Sequence, residues 1–161
     1  MSALTSAVRR LGHYRWFAAL GRRLVPMDRF IMGHGPVRWS TGRMFGLPTL
    51  LLTTTGRRSS QPRTQPLLYV TDGEALVVVG SNWGQAHQPA WSANLLADPQ
   101  ATVTLDSEQI PVRATLVTGP DRDRLWEALR AEWPAYRTYE RRAAGRELRM
   151  FRLERNPALG P

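Results

Sequence analysis

The feature that most constrains the fold is a succession of short β-type segments that begins at Thr49. Thr49–Thr55 is apolar and β-branched, which is typical of a buried strand. Two further strand-like segments, residues 66–70 and 75–80, flank residues 71–74. The Asp72-Gly73 pair in that turn is a strong hairpin signal, so we expect these two segments to pair antiparallel.

The same pattern recurs later in the chain. Residues 101–105 and 110–117 predict a second hairpin around the turn 106–108, and residues 147–153 predict a final strand. Helices are few: one from Pro89 to Ala97, one that begins at 118–121 and a short one after Pro134. That is too few for alternating βαβ units. About six strands with inserted helices therefore predict a mainly β, α+β fold, closed as a small antiparallel barrel.

The N-terminal part has a different texture. Residues 1–31 are basic and helical in pattern, and an apolar stripe of Trp16, Leu20 and Leu24 recurs at i, i+4. Residues 32–48 are rich in Gly and Pro and predict a linker. We therefore expect a helical, basic segment over 1–45 and a β-barrel domain over 46–161.

Composition excludes several kinds of site. The chain has no cysteine, which excludes disulfides, thiolate zinc sites, iron–sulfur clusters and cysteine nucleophiles. His13, His34 and His87 are scattered without carboxylates at ligand spacing, so no metal site is expected. No apolar run approaches the roughly 20 residues that span a bilayer, which favours a soluble cytoplasmic protein.

The charge balance indicates an anionic partner. The net charge is +9, and all 22 basic residues are arginine. A GC-rich genome would explain the choice of arginine but not the excess of positive charge. Nucleic acid, an acidic membrane surface and a polyanionic small molecule are all compatible with it.

The best candidate for an anion site is the polar stretch that follows the first strand. Gly56 permits a sharp exit from that strand, and Arg57, Arg58 and Arg63 bring three guanidinium groups to one turn. Ser59 and Ser60 add hydroxyl groups, while Pro62 stiffens the return. We expect a loop over residues 56–64 that forms an anion cradle; solvated surface is the alternative. The stretch lacks the second glycine and the lysine of a Walker loop.

Three blocks carry a resemblance to a known family: residues 53–70, 80–99 (GSNWGQAHQPAWSANLLADP) and 133–142 (WPAYRTYERR). In order and spacing they resemble the deazaflavin-dependent nitroreductase and quinone reductase family of actinobacteria, over roughly residues 45–155. The resemblance implies a split β-barrel related to FMN-binding oxidoreductases. It also implies binding of coenzyme F420, a deazaflavin with a phosphate and a poly-γ-glutamate tail, in preference to FMN.

The resemblance also implies roles for individual residues. The coenzyme phosphate and tail fall to Arg57, Arg58 and Ser59. By the same resemblance, three groups of residues line the deazaflavin ring: Arg63, Thr64, Gln65, Pro66, Leu67 and Leu68; Val79, Gly80, Ser81 and Asn82; and Ala90, Trp91 and Asn94. The acceptor pocket falls to Trp83, Trp133, Tyr136 and Tyr139, with Ser81 and Tyr136 as the catalytic pair that orients the acceptor or relays a proton.

The chain departs from the family pattern at four of these places. Ser60 and Trp83 stand where glycine is usual, Trp133 where tyrosine occurs, and Asn82 where a basic residue occurs. A bulky Trp83 would reshape the pocket, and Asn82 would weaken one contact to the coenzyme.

The function expected from these observations is transfer of a hydride from reduced F420 to a small-molecule acceptor such as a quinone, nitroaromatic or activated alkene. A non-catalytic F420 carrier is the alternative, while a nucleic-acid-binding barrel is disfavoured because the arginines crowd one loop. The stripe and arginines of residues 1–31 also suit peripheral contact with an anionic membrane at its cytoplasmic face. Packing of that segment on the barrel or on a dimer partner is the alternative, and the sequence leaves the oligomeric state open.

Overall fold

A computed structural model describes residues 3–21, 23, 46–156 and 158. Six antiparallel strands close a barrel in the order β1-β2-β3-β6-β5-β4. The strands are β1 (Thr49–Thr55), β2 (Pro62–Asp72), β3 (Ala75–Val79), β4 (Gln100–Leu105), β5 (Glu108–Leu116) and β6 (Met150–Arg155). The helices are α1 (Ala3–Leu11), α2 (Ala90–Ala97), α3 (Gly119–Glu132) and α4 (Tyr136–Arg142), and residues 15–21 are also helical. The predicted fold is confirmed.

Both predicted hairpins form, with turns whose backbone explains their sequences. The turn between β2 and β3 consists of Gly73 and Glu74, and Gly73 has a φ of +61°. The turn between β4 and β5 consists of Asp106 and Ser107, whose φ angles are 47° and 74°. Positive φ at the first central residue of one turn, Gly73, and at both central residues of the other matches the right-handed twist of the paired strands.

Several predicted strand boundaries are wrong, and the largest errors lie at the starts of β2 and β6. The polar loop ends at residue 61 rather than 64, because Pro62 pairs with Thr55 and β2 begins there. The last strand begins at Met150 rather than residue 147, where Met150 pairs with Val79 of β3. In both cases backbone pairing with a neighbouring strand, rather than local composition, sets the start of the strand.

The barrel opens where β2 changes partner. Residues 62–68 of β2 pair with β1, whereas residues 69–72 pair with β3. The first half of β2 therefore diverges from β3 and from the loop that follows Val79. One hydrophobic cluster fills the barrel interior around Leu52 and Phe151, and a second lies between the barrel and the helices around Leu125 and Tyr139.

The described N-terminal residues pack on the helices of the barrel domain. Val8 is buried, and a Cβ at Gly12 would lie 2.4 Å from Cζ2 of Trp133. The Tyr139 hydroxyl donates to the Gly12 carbonyl at 3.1 Å. Arg9 of α1 forms an ion pair with Glu132 at the end of α3. The division of the chain at residue 46 stays a prediction.

The predicted apolar stripe is only partly exposed. Trp16 and Leu20 are 57% and 47% exposed, whereas Phe17 packs against the core. Leu24 and Arg22 lie outside the described residues.

Candidate functional site

A cavity of about 940 Å³ occupies the gap beside the first half of β2. Ligand pockets commonly measure about 300–1,000 Å³, so this one has room for a fused ring system and a second planar molecule. Its walls come from β2, the loop after β3, α2, the segment before and within α4, and the N-terminal residues. Fifteen of the predicted coenzyme residues line it: Arg57, Arg58, Ser59, Arg63, Thr64, Gln65, Pro66, Leu67, Leu68, Val79, Ser81, Asn82, Ala90, Trp91 and Asn94.

The loop of residues 56–61 forms a tight turn at one end of the cavity. The Gly56 amide donates to the Gln61 carbonyl at 2.8 Å, and the Ser60 amide donates to the Gly56 carbonyl at 2.7 Å. A Cβ at Gly56 would lie 2.6 Å from Oγ of Ser59, so the turn has no space for a side chain there. Close approach, rather than φ, requires this glycine.

Among the described residues, no carboxylate neutralises Arg57 and Arg58 of this turn or Arg63 at the start of β2. Arg57 and Arg58 are exposed, and Arg63 donates to Oγ of Ser59 at 3.2 Å. Within the described part of the chain, no acidic side chain forms an ion pair with any of the three. Arginines elsewhere do pair: Arg9, Arg122, Arg124, Arg130, Arg152 and Arg155 each bind a carboxylate. Unpaired guanidinium groups at the rim of a cavity suit an anionic ligand.

Asn94 anchors this turn from behind. The side chain is buried, and its Nδ2 donates to Oγ1 of Thr54 at 3.0 Å. Its Oδ1 accepts a hydrogen bond from the backbone amide of Arg57 at 3.2 Å. Asn94 thus ties α2 to β1 and to the arginine turn, which indicates that it positions the turn in addition to lining the cavity.

The loop after β3 forms another part of the wall. Asn82–Gly84 is a short 3-10 turn in which Trp83 has φ 56° and ψ 25°, a left-handed conformation. The Trp83 ring lies 6.2 Å from the ring of Tyr139 in an edge-to-face contact. Ser60, the other position where the resembling family has glycine, also has a positive φ of 53°. A glycine at either position would adopt this backbone without strain.

Gly80 is the one predicted coenzyme residue that does not line the cavity. Its amide donates to the Arg149 carbonyl at 2.7 Å, and a Cβ there would lie 3.2 Å from Pro89. Gly80 therefore lies behind the wall, between β6 and the start of α2.

Aromatic side chains close the inner end of the cavity. Trp83, Trp133, Tyr136 and Tyr139, the four predicted pocket residues, all line it. Tyr136 stacks on Trp126 at 5.8 Å and contacts the Tyr139 ring edge-to-face at 6.1 Å. Burial, and then electrostatic interaction with the neighbouring Tyr139 side chain and the Glu132 carboxylate, raise the pKa of Tyr136. The phenol that lines the cavity therefore keeps its proton.

The N-terminal residues of the wall were missed by the sequence analysis. Val8, Phe17, Leu20 and Gly21 line the cavity. A Cβ at Gly21 would lie 2.4 Å from Cη2 of Trp83, so the helical segment and the loop after β3 are in close contact. Gly12 faces Trp133 and Gly21 faces Trp83, and both contacts join residues that are far apart in the sequence. A local sequence pattern does not reveal such contacts. His87, Gln88 and Pro89 also line the cavity and were missed as site residues, although they lie within the block 80–99.

Among the described residues, no three His, Asp or Glu side chains gather as a metal ion would need. None of the helices in the described ranges has the length and apolarity to cross a membrane.

Comparison with known proteins gives a consistent result. The family model described as F420H(2)-dependent quinone reductase matches residues 34–154. An F420H(2)-dependent quinone reductase of Mycobacterium tuberculosis strain H37Rv is 42% identical over 82 residues, 50% of this chain and 55% of its own length. A second relative from that strain, with a name of the same family, is 39% identical over 90 residues, 56% of this chain and 76% of its own. The chain thus spans about half the length of the first of these relatives.

Solved structures agree with the sequence matches. The structure of an F420-H2-dependent reductase, FDR-A, superposes with a TM-score of 0.61 at 29% identity and covers 66% of this chain and 94% of its own. The haem storage protein HutZ of Vibrio cholerae superposes with a TM-score of 0.52 at 15% identity, covering 67% of this chain and 81% of its own. At that identity the second match supports the fold alone.

Proposed function

The chain belongs to the F420H(2)-dependent quinone reductase family, and we propose that its cavity is the site where reduced F420 reduces a quinone. The coenzyme and the oxidoreductase class follow from the family. The acceptor and the roles of individual residues are the proposal. The observation that carries it is a large cavity with aromatic residues in its wall and three arginines at its rim, which pair with no carboxylate among the described residues.

The residues present fit the coenzyme of this family. A deazaflavin needs a flat, largely apolar slot, which β2 supplies through Pro66, Leu67 and Leu68. Its phosphate and glutamyl tail need cationic donors outside that slot, which Arg57 and Arg58 supply at the rim. Residues of both kinds border one continuous space, as a ligand with an apolar head and an anionic tail requires.

The division of labour follows from these positions. When bound, the reduced deazaflavin supplies the hydride. Arg57, Arg58 and Arg63 hold the anionic portion, and Asn94 fixes their turn through the Arg57 amide. The hydroxyl of Tyr136, which burial keeps protonated, donates a hydrogen bond to a carbonyl oxygen of the acceptor. Ser81, which also lines the cavity, orients the acceptor.

A quinone fits the inner end better than a polar acceptor does. Trp83, Trp133 and Tyr139 present aromatic surfaces to the cavity. A planar ring gains from offset or edge-to-face contact with such surfaces. A quinone also carries the carbonyl oxygens that a protonated phenol binds. Nitroaromatics share both properties and are expected to be accepted as well.

The alternative is a carrier that binds F420 without turning it over. The two are separated by mixing a small amount of protein with excess reduced F420 and menadione. Reoxidation of many coenzyme equivalents per protein molecule supports the hypothesis of an enzyme. Reoxidation no faster than the rate without protein supports the hypothesis of a non-catalytic carrier.

We further propose that residues 14–20 bring this site to an anionic membrane, where quinones dissolve. Tyr14 and Trp16 are 56% and 57% exposed, their rings lie 6.4 Å apart, and Arg15 between them is exposed. Leu20, which is half exposed, also lines the cavity. Aromatic and basic side chains together suit the headgroup region.

The membrane proposal is tested by co-sedimentation with vesicles of phosphatidylglycerol. The variant Tyr14→Ser/Trp16→Ser should lose binding, and wild-type protein should be released by salt. Leu116→Ser, which removes an exposed apolar side chain from β5, is the control. Equal sedimentation of wild type and the double variant, or no binding of either at low salt, would refute the proposal.

A further inference from the structure

The guanidinium group of Arg146 holds the loop of residues 80–88, which forms part of the cavity wall. The Nε of Arg146 donates to the Gln85 carbonyl at 3.1 Å, and its Nη2 donates to the carbonyls of Ser81 and Gln85 at 2.9 and 3.0 Å. Its Nη1 donates to the Gly80 carbonyl at 3.0 Å and to Oε1 of Gln88 at 2.8 Å. Arginine has five N–H groups in a fixed planar fork, and all five are used here.

These acceptors lie at both ends of the loop. Gly80 and Ser81 come before the 3-10 turn Asn82–Gly84, and Gln85 and Gln88 come after it. The guanidinium therefore fixes the entrance and exit of the loop relative to each other. The residues held between them include Asn82 and Trp83, which line the cavity.

The loop needs such a restraint. Asn82 and Trp83 both have positive φ, at 45° and 56°. A non-glycine residue keeps this conformation only where the surrounding contacts enforce it. The hydrogen bonds from Arg146 to the loop carbonyl groups supply one set of contacts. The close approach of Gly84 to Tyr139 supplies another, since a Cβ at Gly84 would lie 2.9 Å from Cα of Tyr139.

The partners of Arg146 are dipoles rather than charges. No carboxylate pairs with it in the described part of the chain, although six other arginines pair with acids. Burial, and then the charge of Arg149, lower the pKa of Arg146. The partly buried guanidinium group of Arg146 thus donates its hydrogen bonds mainly to the backbone of the loop. Lysine would keep the charge but could not present five donors in one plane.

We propose that Arg146 is a positioning residue that sets the geometry of the loop 80–88 and thereby the rate of reduction of the acceptor. This inference rests on the proposed function for its kinetic consequence. It assigns Arg146 no contact with coenzyme or acceptor, since Arg146 does not line the cavity. It acts through Ser81, Asn82 and Trp83.

The test compares Arg146→Lys and Arg146→Met with a matched control, Arg122→Met. Arg122 is also a partly buried arginine that donates to a backbone carbonyl, that of Leu148 at 3.0 Å, but it contacts none of the loop residues 80–88. Hydrogen exchange on the coenzyme-free protein measures the loop directly. Steady-state oxidation of reduced F420 by menadione measures the kinetic consequence.

Both Arg146 variants should exchange the amides of residues 80–85 faster, with protection of the barrel strands unchanged. Their kcat/KM for menadione should fall about 100-fold, the order expected when a reacting geometry is lost, while Kd for F420 stays within about threefold. Arg122→Met should show neither effect. The Arg146→Lys variant keeps the inference testable if Arg146→Met fails to fold.

Two results would overturn the inference. One is wild-type exchange in residues 80–85 of Arg146→Lys. The other is faster exchange there with kcat/KM unchanged in a protein whose wild type turns over. An inactive wild type would refute the proposed function, and the exchange data would still decide whether Arg146 holds the loop.

Discussion

The arginine turn gives the most quantitative prediction. The perturbation is the double substitution Arg57→Ala/Arg58→Ala, which removes two exposed cations from the rim of the cavity. Neither side chain forms an ion pair within the described residues, so their removal breaks no ion pair there. The free energy of unfolding should therefore change by less than about 0.5 kcal/mol, as for ordinary surface positions.

The loss of affinity follows from the number of contacts. A hydrogen bond to a charged group contributes about 1.5–3 kcal/mol, and exposure to solvent places these two toward the lower end. Removing both should cost about 2–4 kcal/mol of binding free energy, which corresponds to an increase in Kd for F420 of between about 30-fold and several hundred-fold. Added salt should weaken wild-type binding and have less effect on the variant.

The assay is a titration of protein with oxidised F420 followed by fluorescence at two salt concentrations. The matched control is Arg113→Ala/Arg155→Ala, which removes two exposed arginines from β5 and β6, away from the cavity. The control equalises the loss of net charge and should leave Kd nearly unchanged. A Kd within threefold of wild type for Arg57→Ala/Arg58→Ala would remove the turn from the binding site.

Three further predictions address other parts of the structure. Tyr136→Phe, which removes the hydroxyl, should lower kcat for menadione about tenfold or more with Kd for F420 unchanged; equal loss of both would assign Tyr136 to the coenzyme. Gly12→Ala, whose Cβ would lie 2.4 Å from Trp133, should lower the free energy of unfolding by about 1–3 kcal/mol in urea melts, and an unchanged midpoint would contradict the observed packing. The hydrogen bond from Arg124, the largest cause, and the charge of Arg152 lower the pKa of Asp72 below 3.8. The ionised Asp72 therefore stabilises the fold above about pH 4, and this stabilisation is lost as the pH falls further. Asp72→Asn should flatten the fall of Tm on the acid side, and parallel curves of Tm against pH for variant and wild type would refute the assignment.

The sequence allowed much of the barrel to be predicted because its signals are local. The span of β1 was predicted to the residue, and both hairpins were found from turns that favour positive φ. The error at Pro62 has a physical cause. Residues 63–65 are polar and border the cavity, so composition indicated a loop while pairing with β1 made a strand.

The site was predictable only where it follows a recognisable block. The arginine turn and the aromatic residues of α4 belong to such blocks, and the structure brings them to one cavity. The contacts of Gly12 and Gly21 with Trp133 and Trp83 join residues that are far apart in the sequence. Arg146 binds backbone carbonyl groups, which any sequence supplies, so no pattern could have singled it out.

The central claim is that this chain draws its reducing equivalents from F420 rather than from a flavin. The most direct measurement supplies reduced F420 and reduced FMN separately, each with menadione and the same amount of protein under anaerobic conditions. We expect multiple turnovers with reduced F420 and only the protein-free rate with reduced FMN. Catalysed turnover with reduced FMN, together with none from reduced F420, would contradict the account.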